Sequence, residues 1–249
     1  MERIRPVTAS RQPSAEQERR GRAFVSVYAA FIAVATVGFA ALVVLVRTQE
    51  VIADFDGPVA SAIQSIHAPV LGWMLAHTSD LGWFPYNILC MTVVAVGLFA
   101  LRLRIEAVGI VASTLIAGEL GTVAKDLVQR ARPTGSFVQM AGRLAGFSFP
   151  SGHVIFATVL FGTTFWVVWT VWRSSLLRNA ALVILAALIL LMGMSRVYVG
   201  EHWPTDVLGA YCLAGLWVAA TIEVLLLVEP RLNAWWQGRP HRRRWKGLL

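Results

Sequence analysis

The chain is short of charge. Only 14% of its 249 residues are Asp, Glu, Lys or Arg, against about 25% in an ordinary soluble domain, which excludes that class. It also has only two cysteines, Cys90 and Cys212. Both fall inside apolar runs, so they form neither a disulfide framework nor a metal-ligand spacing; packing is the expected role. No internal repeat is evident. No cleavable signal peptide is expected either, because the first 22 residues are polar and the apolar run after them is too long for a signal core. That run reads as a signal anchor.

What is abundant is long hydrophobic sequence, 57% of the chain. Phe24–Val46, Trp83–Ala100, Ala107–Ala124, Val154–Trp172, Ala180–Met194 and Val207–Ile222 each approach or reach the roughly 17–25 residues that cross a bilayer. The expected fold is all-α, a bundle of six transmembrane helices. The expected organisation is a basic tail over 1–22, a membrane domain over 23–228 and a second basic tail over 229–249.

The formal net charge of +8 raises the question of nucleic acid, but its distribution answers it. Arginines crowd both tails, Arg102 and Arg104 follow the second span, and Arg173 and Arg178 follow the fourth. With six spans all four regions share one side, which the positive-inside rule makes cytoplasmic. Topology accounts for the charge, so no nucleic-acid partner is expected. The protein reads as a multi-pass cell-membrane protein with cytoplasmic termini. The ratio of 20 Arg to 2 Lys and the compact size point to a bacterial source.

Thr48–Gly82 has no Lys or Arg, as suits the outer face. Val59, Ile63, Ile66, Val70 and Met74 recur there at helical spacing, and Pro69 should break the segment in two. Short amphipathic helices in the outer interface are expected, with a lid packed on the bundle as the alternative. His67 and His77 are expected at the surface. The second outer connection carries Arg130, Arg132 and Arg143, against the charge rule; an anionic ligand is the simplest reason.

Three polar islands interrupt the apolar chain: Lys125-x6-Arg132-Pro133, Pro150-Ser151-Gly152-His153 and Ser195-Arg196-x5-His202-x3-Asp206. Ionisable groups at membrane depth are costly and mark function. Span parity brings all three to one membrane face. Ser151 is a natural helix N-cap, Gly152 admits close backbone approach, and a helix N-terminus suits a phosphate. Pro204 fits the first turn of the last helix. Asp206 stands one turn after His202 and can share its face; a carboxylate on one ring nitrogen leaves the other free as a nucleophile. A capping pair at a helix start is the alternative reading of those two residues. Lys125, Arg132 and Arg196 supply positive charge for a dianion; singly, each could be an interfacial anchor. Glu119 is expected to bond a neighbouring helix, and Trp203 to anchor at the interface.

In order and placement, the three islands closely resemble the signature of the type 2 phosphatidic acid phosphatase family, with every specified position matched between Lys125 and Asp206. The resemblance implies a metal-independent phosphatase that needs no cofactor and works through a phosphohistidine. It makes His202 the nucleophile, Asp206 its orienting partner and His153 the general acid. Lys125, Arg132, Ser151, Gly152 and Arg196 would hold the phosphoryl oxygens. The expected substrate is a lipid phosphate in the bilayer, met at the extracytoplasmic face: undecaprenyl pyrophosphate, phosphatidic acid or phosphatidylglycerol phosphate, the first slightly favoured. A phosphotransferase using the same intermediate and a lipid-phosphate transporter are the alternatives.

Overall fold

A computed structural model describes residues 15–48, 50–134 and 145–237. Arg143 lies outside them, as do the ends of both basic tails. The described residues are helical, with no strand among them. The helices are α1 (Ala15–Leu45), α2 (Gly57–Gln64), α3 (Pro69–Asp80), α4 (Tyr86–Ala100), α5 (Arg104–Val128), α6 (Gly152–Val171), α7 (Leu176–Tyr198) and α8 (Pro204–Gln237). A π-helical turn over Ile52–Asp56 leads directly into α2.

Among the described residues, five helices are long and apolar enough to cross a membrane: α1 from Val25, α5, α6, α7 and α8 to Val228. The fifth apolar run, shortest in the sequence, becomes the 23-residue α7. The shortest candidate is instead α4, with 15 residues, whose rise of about 22 Å falls short of a hydrocarbon core of about 30 Å.

The segment before α4 breaks where expected. Pro69 opens α3, where its missing N–H does no harm, and the two helical pieces meet at 118°. The predicted apolar stripe does not run through the break. Val70 and Met74 are exposed, whereas Leu75, Thr78 and Ser79 are buried. The bend resets the helical phase, so the inward face of α3 is set by its packing on α7 and not by continuity with α2.

The core is built around α6, which packs on α5, α7 and α8. Val154, Ile155, Leu160 and Val167 of α6 are fully buried, together with Ile110 of α5, Met192 of α7 and Ala210 and Ala214 of α8. A helix apolar on every side, as α6 is, is expected at the centre of a bundle. Midway along, Ser113 of α5 and Thr221 of α8 share a hydrogen bond of 2.6 Å, and the Trp217 indole N–H donates to the Ser113 carbonyl at 3.1 Å. Such clasps tie helices together where apolar packing lacks direction. Glu119, by contrast, is exposed, with no hydrogen-bond partner among the described residues.

The helix order brings the end of α5, the start of α6, the end of α7 and the start of α8 to one end of the bundle. Arg104, Arg173 and Arg178 belong to the other end. All three polar islands therefore occupy one end.

Candidate active site

The centre of that end is His202, buried in the short turn between α7 and α8. The turn is held from α7: the Arg196 carbonyl accepts the Glu201 and His202 N–H groups at 3.1 and 3.2 Å. Pro204 opens α8, as the sequence suggested. One turn on, Asp206 places Oδ2 3.4 Å from Nδ1 of His202. The same oxygen accepts the Trp203 N–H at 2.9 Å. Asp206 is thus both a helix cap and the partner of His202, so the two readings of this pair describe one arrangement.

On the other side of the ring, Nη1 of Arg132 lies 3.3 Å from Nε2. A guanidinium only donates, so this contact puts the neutral ring's proton on Nδ1, toward Asp206, and leaves a lone pair on Nε2. Arg132 is fixed by the Glu201 carbonyl at 2.9 Å and the Gly146 carbonyl at 3.2 Å. Gly146 has a φ of 82°, which favours glycine. Burial pulls the His202 imidazole down to about pKa 4; the hydrogen bond and charge of Asp206 oppose this, and the charges of Arg196 and Arg132 reinforce it. The ring is therefore neutral at pH 7. Burial likewise lowers the Arg132 value from its ordinary one, with Asp206 opposing.

The second island enters at the start of α6. Phe149, fully buried, seats against Gly209 of α8, where an added Cβ would lie 2.3 Å from its ring. The Ser151 N–H donates to the Asp206 carbonyl at 3.3 Å. Ser151 occupies the N-cap position of α6, but its hydroxyl makes no cap bond. That hydroxyl and Nε2 of His153 are buried with no hydrogen-bond partner among the described residues. A buried polar group left unpaired costs about 1–3 kcal/mol, which a ligand with acceptor oxygens would relieve. The His153 ring meets Trp83 edge-on at 4.5 Å between centroids. It also rests on Gly82, where a Cβ would come within 2.0 Å of its Cδ2.

The remaining cations complete the cradle. Arg196 is fully buried. It donates to the Ser79 hydroxyl of α3 and pairs with the Glu201 carboxylate. Half-buried Lys125 has its ammonium 4.0 Å from where a Cβ on Gly152 would stand. All eight sequence-predicted site residues thus sit together.

Arg130 corrects an expectation. It does not await an anionic ligand. Its guanidinium is buried and pairs with Asp206 Oδ1 at 2.6 Å and with Asp56. Trp203 is also not an exposed anchor: it is buried, its indole N–H donates to the Ala131 carbonyl at 3.3 Å, and Arg130 lies 5.9 Å over its ring. Two residues escaped sequence reasoning. Ser148 donates to Asp206 Oδ2 and stands 3.5 Å from His202 Nδ1; its position two residues before Pro150 was the available signal. Asp56 gave none, since nothing in its neighbourhood distinguishes it from Asp54.

A basic cradle around a neutral, oriented histidine, at one end of an apolar helical bundle, defines a membrane protein built to handle a phosphorylated group. The PAP2 superfamily pattern matches residues 106–227. Over that stretch, just under half of its length, the chain resembles the superfamily, and it is a phosphatase. It is 27% identical over 162 residues to phosphatidylglycerophosphatase B of Bacillus subtilis, covering 64% of this chain and 77% of that one. It is 32% identical over 127 residues to an undecaprenyl-diphosphatase of Sulfolobus acidocaldarius, covering 47% and 54%. The fold resembles the crystal structure of a transmembrane PAP2-type phosphatidylglycerolphosphate phosphatase from Bacillus subtilis, with a TM-score of 0.67, 24% identity and coverage of 78% and 94%.

Proposed function

We propose that the protein is an integral-membrane lipid phosphatase that works through a phosphohistidine on Nε2 of His202. The observation that carries this reading is the ring's two-sided environment. Nδ1 faces Asp206 at 3.4 Å, and Nε2 lies 3.3 Å from the Arg132 guanidinium. The lone pair on Nε2 attacks phosphorus while Nδ1–H remains against Asp206. The P–N bond forms and the P–O bond to the lipid breaks. His153 gives its proton to the departing oxygen. Asp206 stabilises the positive charge that develops on the ring, as carboxylates do in hydrolase triads. Water then attacks phosphorus, His153 takes a proton from it, the P–N bond breaks and inorganic phosphate leaves.

Lys125, Arg132, Arg196, the Ser151 hydroxyl and the Gly152 N–H hold the phosphoryl oxygens throughout. Phosphoryl transfer asks for little beyond positioning and charge stabilisation. The three cations fill the place that a metal takes in other phosphatases, and among the described residues no group of three or more His, Cys, Asp or Glu could hold one.

Topology supports the outer face. With α4 counted as the second of six spans, both termini and Arg102, Arg104, Arg173 and Arg178 lie on the inner side, and the site opens outward. A substrate there keeps its tails in the bilayer and lifts its phosphate into the cradle. The named relatives act on phosphatidylglycerol phosphate and undecaprenyl diphosphate, so these two head the panel of candidates. The test is phosphate release by purified protein in detergent, across undecaprenyl diphosphate, phosphatidic acid and phosphatidylglycerol phosphate, with His202→Ala as control. Turnover of at least one lipid, lost in the variant, supports the reading. A fully active His202→Ala refutes it.

A further inference from the structure

Behind Asp206 lies a second, fully buried charge pair that the reaction itself does not use. Asp56 ends the π-helical turn before α2 and has no exposed surface. It accepts from Arg130, from the Thr205 N–H at 2.9 Å and from the Thr205 hydroxyl at 2.8 Å. Arg130 in turn donates to the Thr205 hydroxyl and to Asp206 Oδ1, each at 2.6 Å. The network joins three distant parts of the chain at the first turn of α8. It also supplies a carboxylate to a free N–H of a helix start, where negative charge is favoured.

The geometry points to Asp56 and Arg130 as positioning residues that act on the nucleophile through Asp206. This rests on the phosphohistidine reading above.

Asp206 has two carboxylate oxygens with different duties. Oδ2 faces His202 and accepts from Ser148 and Trp203. Oδ1 is held by Arg130. A planar guanidinium can grip two partners in a fixed fork, and Arg130 uses that fork to span Asp206 and Asp56 with separate nitrogens. Asp56 thereby fixes the guanidinium plane, the plane fixes the carboxylate, and the carboxylate fixes the ring. A further physical reason supports the pairing. Arg130 alone would offset the charge that Asp206 directs at His202; Asp56 neutralises Arg130 and leaves the Asp206 charge for the ring. Asp56 is delivered by a wide turn of a kind often found at functional sites.

The test measures single-turnover phosphoenzyme formation by rapid quench with the best lipid substrate of the panel. Its first-order rate constant does not depend on how much of a preparation is folded. Asp56→Asn removes the charge that balances Arg130, and Arg130→Lys keeps the charge but loses the fork. Misplacement of about 1 Å can cost on the order of 100-fold. Both variants should therefore form phosphoenzyme about 10- to 100-fold more slowly. KM and inhibition by inorganic phosphate should stay within about twofold, because Lys125, Arg132 and Arg196 are untouched.

Rate constants within about twofold of wild type, with only the amplitude reduced, would make the pair mere scaffolding and overturn the inference. Loss of phosphate inhibition in both variants, or failure of both to fold, would have the same meaning. The functional reading fails separately, through an inactive wild type or an active His202→Ala. It survives if only these two variants behave like wild type.

Discussion

Arg132 touches the free nitrogen of His202: Nη1 stands 3.3 Å from Nε2. A phosphoryl group on that nitrogen would put its oxygens where the guanidinium already is. Arg132→Ala should therefore lower kcat/KM by about 100- to 1000-fold, the scale on which a preorganised donor counts in a transition state. Arg132→Lys should recover part of the loss, since it keeps the charge but not the paired donors. Steady-state phosphate release checks both.

The buried His202 has an unusual pH signature. An exposed imidazole would lose its free lone pair below about pH 6.5. Burial, with Asp206 opposing, lowers the value here to about 4. The folded state therefore resists protonation where the unfolded chain accepts it. The acid limb of kcat/KM should lie well below pH 6.5, toward 4. Linkage has the matching sign: the stability due to neutral His202 is complete above pH 6.5 and is lost as pH falls toward 4, by about 3 kcal/mol. Thermal midpoints across this range, in wild type and His202→Asn, check it; the variant should show a shallower decline.

Gly82 is where His153 rests. A Cβ there would stand 2.0 Å from the ring, so Gly82→Ala must push the ring from its place against Trp83. Because His153 is the proposed proton donor, kcat should fall about 10²–10⁴-fold, the scale of general acid catalysis. The loss should be smaller for a substrate analogue with a good leaving group, which needs less protonation. An equal loss on both would argue that the substitution damages the site generally.

Activity should persist in excess EDTA. Phosphate release before and after chelation, with and without added Mg²⁺, checks it. Complete loss restored by Mg²⁺ would contradict a cradle made of cations alone.

Ser113→Ala removes a hydroxyl that bonds both Thr221, at 2.6 Å, and the Trp217 indole N–H, at 2.9 Å, and should cost about 0.6–2 kcal/mol of stability for each bond between membrane helices. It should leave kcat unchanged, because the bond to Thr221 lies mid-bundle. Detergent melting and phosphate release separate the two effects.

Spacing along the chain carried much of this. The apolar runs located the helices, and parity of the runs brought Lys125, His153, Arg196 and His202 to one end of the bundle. Pro69 and Pro204 marked true helix starts. What stayed hidden depended on side-chain partners. Ser151 looks like a helix cap because of its place before Gly152, yet its hydroxyl is spare. Arg130 and Arg132 stand two residues apart with the same charge; Arg132 faces His202, whereas Arg130 is neutralised by Asp56 and Asp206. No local pattern separates them, because Asp56 comes from a distant turn. The stripe from Val59 to Met74 divides at Pro69, as the sequence suggested, and the 118° bend there breaks the helical phase that spacing assumes.

The central claim is tested most directly by trapping the intermediate. Purified protein is mixed with ³²P-labelled lipid phosphate and quenched in base, where phosphohistidine survives, and the labelled peptide is mapped. The label should sit on His202, be stable to base and labile to acid, and vanish in His202→Ala. A label retained in that variant, or mapped to any other residue, would contradict the account.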